Sequence, residues 1–239
     1  MKKKLLLLSI AVLCFASFAS ADNFVIYGSR AAQNPTDFFD WSQIAAPGTI
    51  VSSPQSVTSF SGSNTALVGN IDGSPFVTVQ EDGGNTWLGS FDFGESLLWT
   101  GNSNLGFAGL GPMAVAFANP VWSFGFAIQA DFYGPFDAFV VALDSGGIPL
   151  FAMVASGVSN GNENGSALFL GMGDITGGNI STIEFSIVSD AGPSGLANND
   201  FAIDAVSIGK IGTPEPGSLV LLGSGLVGIA WVLRRKLAS

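Results

Sequence analysis

Val121-Trp122-Ser123-Phe124-Gly125-Phe126-Ala127-Ile128-Gln129-Ala130 sets a large apolar side chain at every second position. Successive side chains of an extended strand point to opposite faces, so Trp122, Phe124, Phe126 and Ile128 share one face and the spacing predicts that this face is buried. Outward from this strand the same grammar recurs. Residues 113–118 form a strand that ends at Asn119-Pro120. Residues 136–143 and 148–156 pair as a hairpin across Asp144-Ser145-Gly146-Gly147. Ile183, Phe185 and Ile187 mark one face of 180–188, and 201–208 reads as a closing strand. Residues 24–27, 49–52, 56–60, 76–80, 87–93, 97–100 and 167–171 are further short strands, with a clear turn at 81–85. Residues 101–106, 159–166 and 190–199 are loops. The segment 35–41 predicts one helical turn capped by Thr36, packed down by Trp41 and Ile44. Short apolar runs between Gly- and Asn-rich turns, with no long amphipathic helix, indicate an all-β antiparallel sandwich.

Two apolar stretches flank this body. Lys2, Lys3 and Lys4 precede the run 5–18, and Ala19-Ser20-Ala21 supplies an A-x-A-like site. That is the pattern of a secretory signal peptide over 1–21, too short for a membrane span; cleavage after Ala21 removes Cys14, the chain's single cysteine. At the other end Pro214-Glu215-Pro216 introduces an uncharged run that stops at Arg234-Arg235-Lys236. Lipid offers no partner for backbone polar groups, so such a run crosses only as a helix. Residues 217–233 reach the short end of the ~17–25 residues a spanning helix needs. The three cations stay on the cytoplasmic side and leave residues 22–212 outside. Two prolines hold the 214–216 segment extended, a shape suited to a processing enzyme. The plainer reading is an ordinary tail anchor with a Pro-rich hinge.

The order Pro214-Glu215-Pro216, Gly-rich apolar helix (Gly217, Gly223, Gly225, Gly228), Arg234-Arg235-Lys236 resembles the PEP-CTERM sorting signal of Gram-negative bacteria. The resemblance implies recognition by a membrane-embedded exosortase, cleavage near Pro-Glu-Pro, and release or attachment at the cell surface after transient anchoring in the inner membrane. The body also resembles the jelly-roll domains common in PEP-CTERM proteins, on Asn119-Pro120-Val121-Trp122-Ser123-Phe124-Gly125-Phe126, Phe169-Leu170-Gly171, 180–185 and Phe201-Ala202-Ile203-Asp204. The expected architecture is a jelly-roll-like antiparallel β-sandwich, flanked by an N-terminal signal peptide helix and a C-terminal transmembrane helix. The divisions are 1–21, 22–212 and 213–239.

Composition narrows the chemistry. The portion 22–212 carries 17 of the 18 acids against Arg30 and Lys210, a formal charge of −15. Phosphate neutralisation needs Lys and Arg, so nucleic acid is not the partner. The chain has no histidine, and the exported portion has no cysteine. Soft-ligand zinc, haem and copper sites are therefore excluded, as are Ser-His-Asp and Cys-His catalysis.

What chemistry remains is oxygen-based. Asp204 interrupts an apolar strand, and a buried carboxylate is costly unless paired or bound to metal. Similar jelly rolls often hold a structural calcium beside this strand, and Asp200 with backbone carbonyls would add oxygens; otherwise Asp204 faces solvent from an edge. The segment 160–165 (Asn-Gly-Asn-Glu-Asn-Gly) has the spacing of a calcium loop, but amides replace its carboxylates, so it reads as a plain loop. Trp87 and Trp99 lie near turns and are the candidates to stack on a sugar ring, whereas Trp122 belongs to the core. Paired carboxylates can hydrolyse a glycoside, yet no pair stands out. The sequence thus predicts a non-catalytic exported protein of the cell surface or extracellular matrix, associated with exopolysaccharide. A carbohydrate-binding module with structural calcium is the alternative, and a carboxylate-dependent glycoside hydrolase a remoter one.

Overall fold

The computed structural model describes residues 24–101, 111–190 and 200–209. The expected signal peptide, most of the expected loops at 101–106 and 190–199, and the sorting segment at 213–239 lie outside the described residues. The predicted strand around Phe124 is β9 (Ser123–Ala130), and it lies within a sheet of nine strands. Phe124, Phe126 and Ile128 are fully buried, as the alternation requires. Their face meets a second antiparallel sheet of six strands, and Phe126 lies 4.6 Å from Phe185 across the interface. Two sheets packed face to face through alternate side chains make the core.

The six-stranded sheet is built largely as the sequence predicts. β10 (Gly134–Leu143) and β11 (Pro149–Ser159) pair antiparallel around the expected turn. There the Asp144 carboxylate accepts from the amides of Gly146 and Ile148, both at 2.8 Å, and Gly147 adopts a φ of +76°. β13 (Ile180–Asp190) buries Ile183, Phe185 and Ile187 between β10 and β8 (Met113–Val121). β5 (Thr65–Asn70), for which the sequence offered no reading, joins β8 to β4 (Gln55–Thr58).

The nine-stranded sheet runs β1 (Phe24–Tyr27), β12 (Leu168–Asp174), β9, β14 (Phe201–Ile203), β7 (Ser96–Trp99), β6 (Phe76–Gln80), β3 (Thr49–Val51). β15 (Val206–Gly209) pairs with β9 and with β2 (Asp37–Phe39). Alternation divides the apolar residues of this sheet between two cores. Phe76, Leu98, Phe201 and Ile203 face the six-stranded sheet. Val77, Val79, Leu97 and Ala202 face outward, under Trp87 and Phe91.

Four sequence expectations are corrected. Residues 35–41 do not form a helical turn, because Phe39 is buried while Phe38 stacks outside on Phe60 at 5.0 Å; the period is two, and the segment is β2. Short helices lie on either side: α1 (Arg30–Gln33), capped by Ser29, and a 3-10 turn (Trp41–Gln43), capped by Asp40. The segment 87–93 is not a strand, since Asp82 draws the amides of Thr86 and Trp87 onto its own carboxylate, a local arrangement that competes with a ladder. Trp122 is half-buried at the bend between β8 and β9 rather than in the core. A Cβ on Gly178 would stand 2.7 Å from its ring, so Trp122 packs on bare backbone. Finally, the closing strand is broken at Asp204.

Candidate functional site

Asp204 sits where one strand gains a residue over its neighbour. Ile203 pairs with Ile128 and Ser207 with Gly125, so four steps along the closing strand oppose three along β9. This is a β-bulge, which re-aims side chains and bends the strand. The Asp204 amide donates to the Ala127 carbonyl at 3.1 Å. Its Oδ1 accepts from the Ala127 amide at 2.7 Å, doing the work of the carbonyl that has turned away. That carbonyl accepts instead from Trp41 Nε1 at 2.6 Å. Oδ2 accepts from Arg30 Nη2 at 2.6 Å, and the same nitrogen donates to the Ala205 carbonyl at 2.9 Å. At this corner the outer neighbour of the strand changes from β7 to β2.

The cation expected beside Asp204 is therefore Arg30, fixed by α1 and lying 5.9 Å from the Phe169 ring centre. Asp204 is 5% exposed. Burial raises its pKa to about 7, Arg30 opposes the shift, and the nearby Glu95 charge adds to it. Asp200, the second carboxylate of the calcium expectation, precedes β14, and its carbonyl accepts from the Asp131 amide at 2.9 Å. Four extended residues separate Cα atoms by about 13 Å, so Asp200 and Asp204 are not brought to one point. Among the described residues no three acids converge as a metal-binding group.

Between α1 and the 81–95 excursion the outer face of the nine-stranded sheet opens into a cleft of about 570 Å³, lined by Arg30, Phe91, Glu95, Phe169 and Asp204 among others. Burial also raises the Glu95 carboxyl, opposed by the hydrogen bond from the Asp92 amide and by Arg30, with the Asp92 charge adding to the rise. The cleft is acidic around one guanidinium. Both Asp204 oxygens are engaged by fixed donors, the Ala127 amide and the Arg30 guanidinium.

The two tryptophans expected as a sugar platform are largely covered, though both contribute to the wall of a groove. Trp87 is 5% exposed and meets half-buried Trp99 edge-on, centroids 5.7 Å apart. They belong to the outer apolar core with Val77, Val79 and Leu97. Gly89 shows why: a Cβ there would collide with Trp87 Nε1 and with the Gln129 side chain. Tyr133, 53% exposed, stands at a groove of about 470 Å³ that Trp87 and Trp99 also line, and its hydroxyl donates to the Leu88 carbonyl at 2.9 Å; Phe60 and Phe93 are exposed aromatics elsewhere. Nothing local in the sequence distinguishes Tyr133, a rim residue, from a core aromatic.

Residues 213–236 match the PEP-CTERM protein-sorting motif. The chain thus carries the mark of an exported protein processed by an exosortase, and Pro214, Glu215, Pro216, Arg234, Arg235 and Lys236 all fall within the match. Among the described residues no helix is long and apolar enough to cross a membrane; the apolar run of 217–233 lies outside them. No curated protein matches the chain. Among solved structures it is similar to a DUF4465 family protein from Bacteroides caccae, 11% identical, covering 78% of this chain and 99% of that one, with a TM-score of 0.37.

Proposed function

We propose that this chain is a non-catalytic protein of the cell surface or extracellular matrix, anchored transiently in the inner membrane by residues 217–233 and cleaved by an exosortase beside Pro214-Glu215-Pro216. Its body, read as a jelly-roll-like sandwich, associates with exopolysaccharide. The observation that carries this reading is the sorting motif at 213–236, placed after a body with 17 acids and two bases. Such a body stays soluble after release through its net charge. Replacing Pro214, Glu215 and Pro216 by alanine in an exosortase-bearing host leaves full-length protein in the membrane fraction. Processing at the wild-type rate would reject the assignment.

A carbohydrate-binding role is the second reading, supported by exposed Tyr133 at the rim of its groove. An aromatic ring with one wet face suits a sugar. On this reading Tyr133→Ala lowers retention on the host exopolysaccharide without changing the melting temperature, as read by co-sedimentation and thermal unfolding.

A further inference from the structure

The excursion from Glu81 to Glu95 crosses the loop joining β11 to β12, and the two are sewn together by backbone and side-chain bonds. The Ala167 amide donates to the Ser90 carbonyl at 3.1 Å, the Ser90 hydroxyl donates to the Asn160 carbonyl at 3.0 Å, and Gln129 reaches both loops from below. Where they cross, two acids, Glu81 and Glu163, come near enough for the charge of the second to act on the first. Glu81 lies two residues beyond Val79, on the outward face of its strand, and is 0% exposed. Its Oε1 accepts from the Gly89 amide at 2.9 Å and the Phe91 amide also bears on the carboxylate, while Oε2 lacks a hydrogen bond of good geometry among the described residues. Glu163 arrives from the other loop, its amide donating to the Gly89 carbonyl at 2.8 Å. Both acids are thus fastened to one residue. Glu163 Oε1 turns back onto the Glu81-Asp82-Gly83 turn, 3.4 Å from where a Gly83 Cβ would stand, and it too is shut from solvent without a partner.

Two buried carboxylate oxygens without well-placed donors, on neighbouring acids, are unfavourable twice over: each lacks a good hydrogen bond and each repels the other. Among the described residues the one base, Arg30, is committed to Asp204, and histidine is absent from the chain. A shared proton removes one charge and satisfies one bond. A hard divalent cation neutralises both acids and satisfies both oxygens.

The geometry points to a site for a calcium-sized divalent cation between Glu81 and Glu163, completed by main-chain carbonyls of the two loops and water, which staples one loop to the other. Calcium accepts mixed carboxylate, carbonyl and water ligands in flexible geometry. The site differs from the calcium-loop spacing noted at 160–165. The Asn160 and Asn164 side-chain oxygens accept from the Asn162 amide at 3.0 Å and the Ser166 amide at 3.2 Å, shaping the turn, and Glu163 is that loop's single carboxylate. Burial holds the Glu81 carboxyl above its ordinary range, and the Glu163 charge adds to the effect; a bound cation reverses both.

The test uses the full chain in detergent, freed of metal by chelator and titrated with calcium chloride at constant ionic strength. Calcium raises the melting temperature with half-saturation near ~0.1–1 mM, the range of exported modules with few charged ligands, and magnesium shifts it less. Glu163→Gln, at a half-buried position that tolerates the change, raises the half-saturating concentration at least tenfold, and Glu81→Gln abolishes the response. Asp204→Asn keeps the full response, which separates this site from the closing strand. No calcium shift in the wild type overturns the proposal in favour of a shared proton. So does a shift that Glu163→Gln leaves unchanged, or one that Asp204→Asn removes.

Discussion

Asp37 and Asp204 are both buried acids, and their surroundings move their proton affinities in opposite directions. At Asp37 burial favours the neutral form, but the hydroxyls of Ser59 and Ser61 and the amides of Ser61 and Phe38 outweigh it and hold the carboxyl far below its usual range. At Asp204 burial wins over Arg30, and the pKa rises to about 7. Linkage turns these shifts into opposite pH dependences. The stability tied to Asp37 is present above the unfolded value near ~4 and is lost as the pH falls toward the folded value. For Asp204 the folded chain keeps a proton that the unfolded chain releases between ~4 and 7. Its contribution is complete below ~4, declines by up to about 1.4 kcal/mol per pH unit, and is gone above 7. Asp204→Asn therefore flattens the melting-temperature profile between pH 4.5 and 7.5, whereas Asp37→Asn flattens it only on the acid side of pH 4. Glu95 and Glu81 titrate in the same sense as Asp204, so the difference between profiles isolates each residue. Parallel profiles for wild type and Asp204→Asn would show that the Arg30 pair keeps the acid ionised throughout.

Strand β9 and the β10–β11 hairpin are local statements: alternation names the buried face, and the turn residues name the reversal. Both were legible for that reason. The bulge at Asp204 was not, because its determinants are Arg30 and Trp41, 174 and 163 residues away. The calcium expectation failed to see Arg30 for the same cause. The 81–95 excursion misled differently. Trp87, Phe91 and Phe93 are spaced by twos and fours, which reads as strand, but Trp87 and Phe91 are buried by lying over a sheet already formed. Gly89 is the signal available in hindsight, since its bare backbone lets Ser90 donate to Gln129 Oε1 at 2.6 Å. Gly89→Ala forces the excursion off the sheet against Gln129 and Trp87, and overpacking of this kind costs about 1–3 kcal/mol. Urea denaturation measures it, with Gly28→Ala, where a Cβ meets nothing within 4 Å, changing stability by less than about 0.5 kcal/mol. Equal effects at the two glycines would mean that the excursion is not held against the sheet as described.

Seen whole, the body combines two well-filled cores with a charge that opposes compaction. Its exported portion holds no cysteine, so no internal disulfide restrains the unfolded chain, and 17 acids face two bases. Self-repulsion of like charges destabilises the compact state, and salt relieves it. The Debye length falls from about 30 Å at 0.01 M to about 8 Å at 0.15 M, which is shorter than most spacings across a domain of this size. Screening acts weakly on the Arg30–Asp204 pair, because Asp204 is buried beneath its partner. Sodium chloride therefore raises the melting temperature between 0.01 and 0.15 M in chelated buffer, with most of the gain complete by the upper concentration. Chelation removes divalent binding at Glu81 and Glu163 from the comparison. A melting temperature that falls with sodium chloride would mean that attractive pairs outweigh repulsion, and a body with two bases has too few cations to supply them.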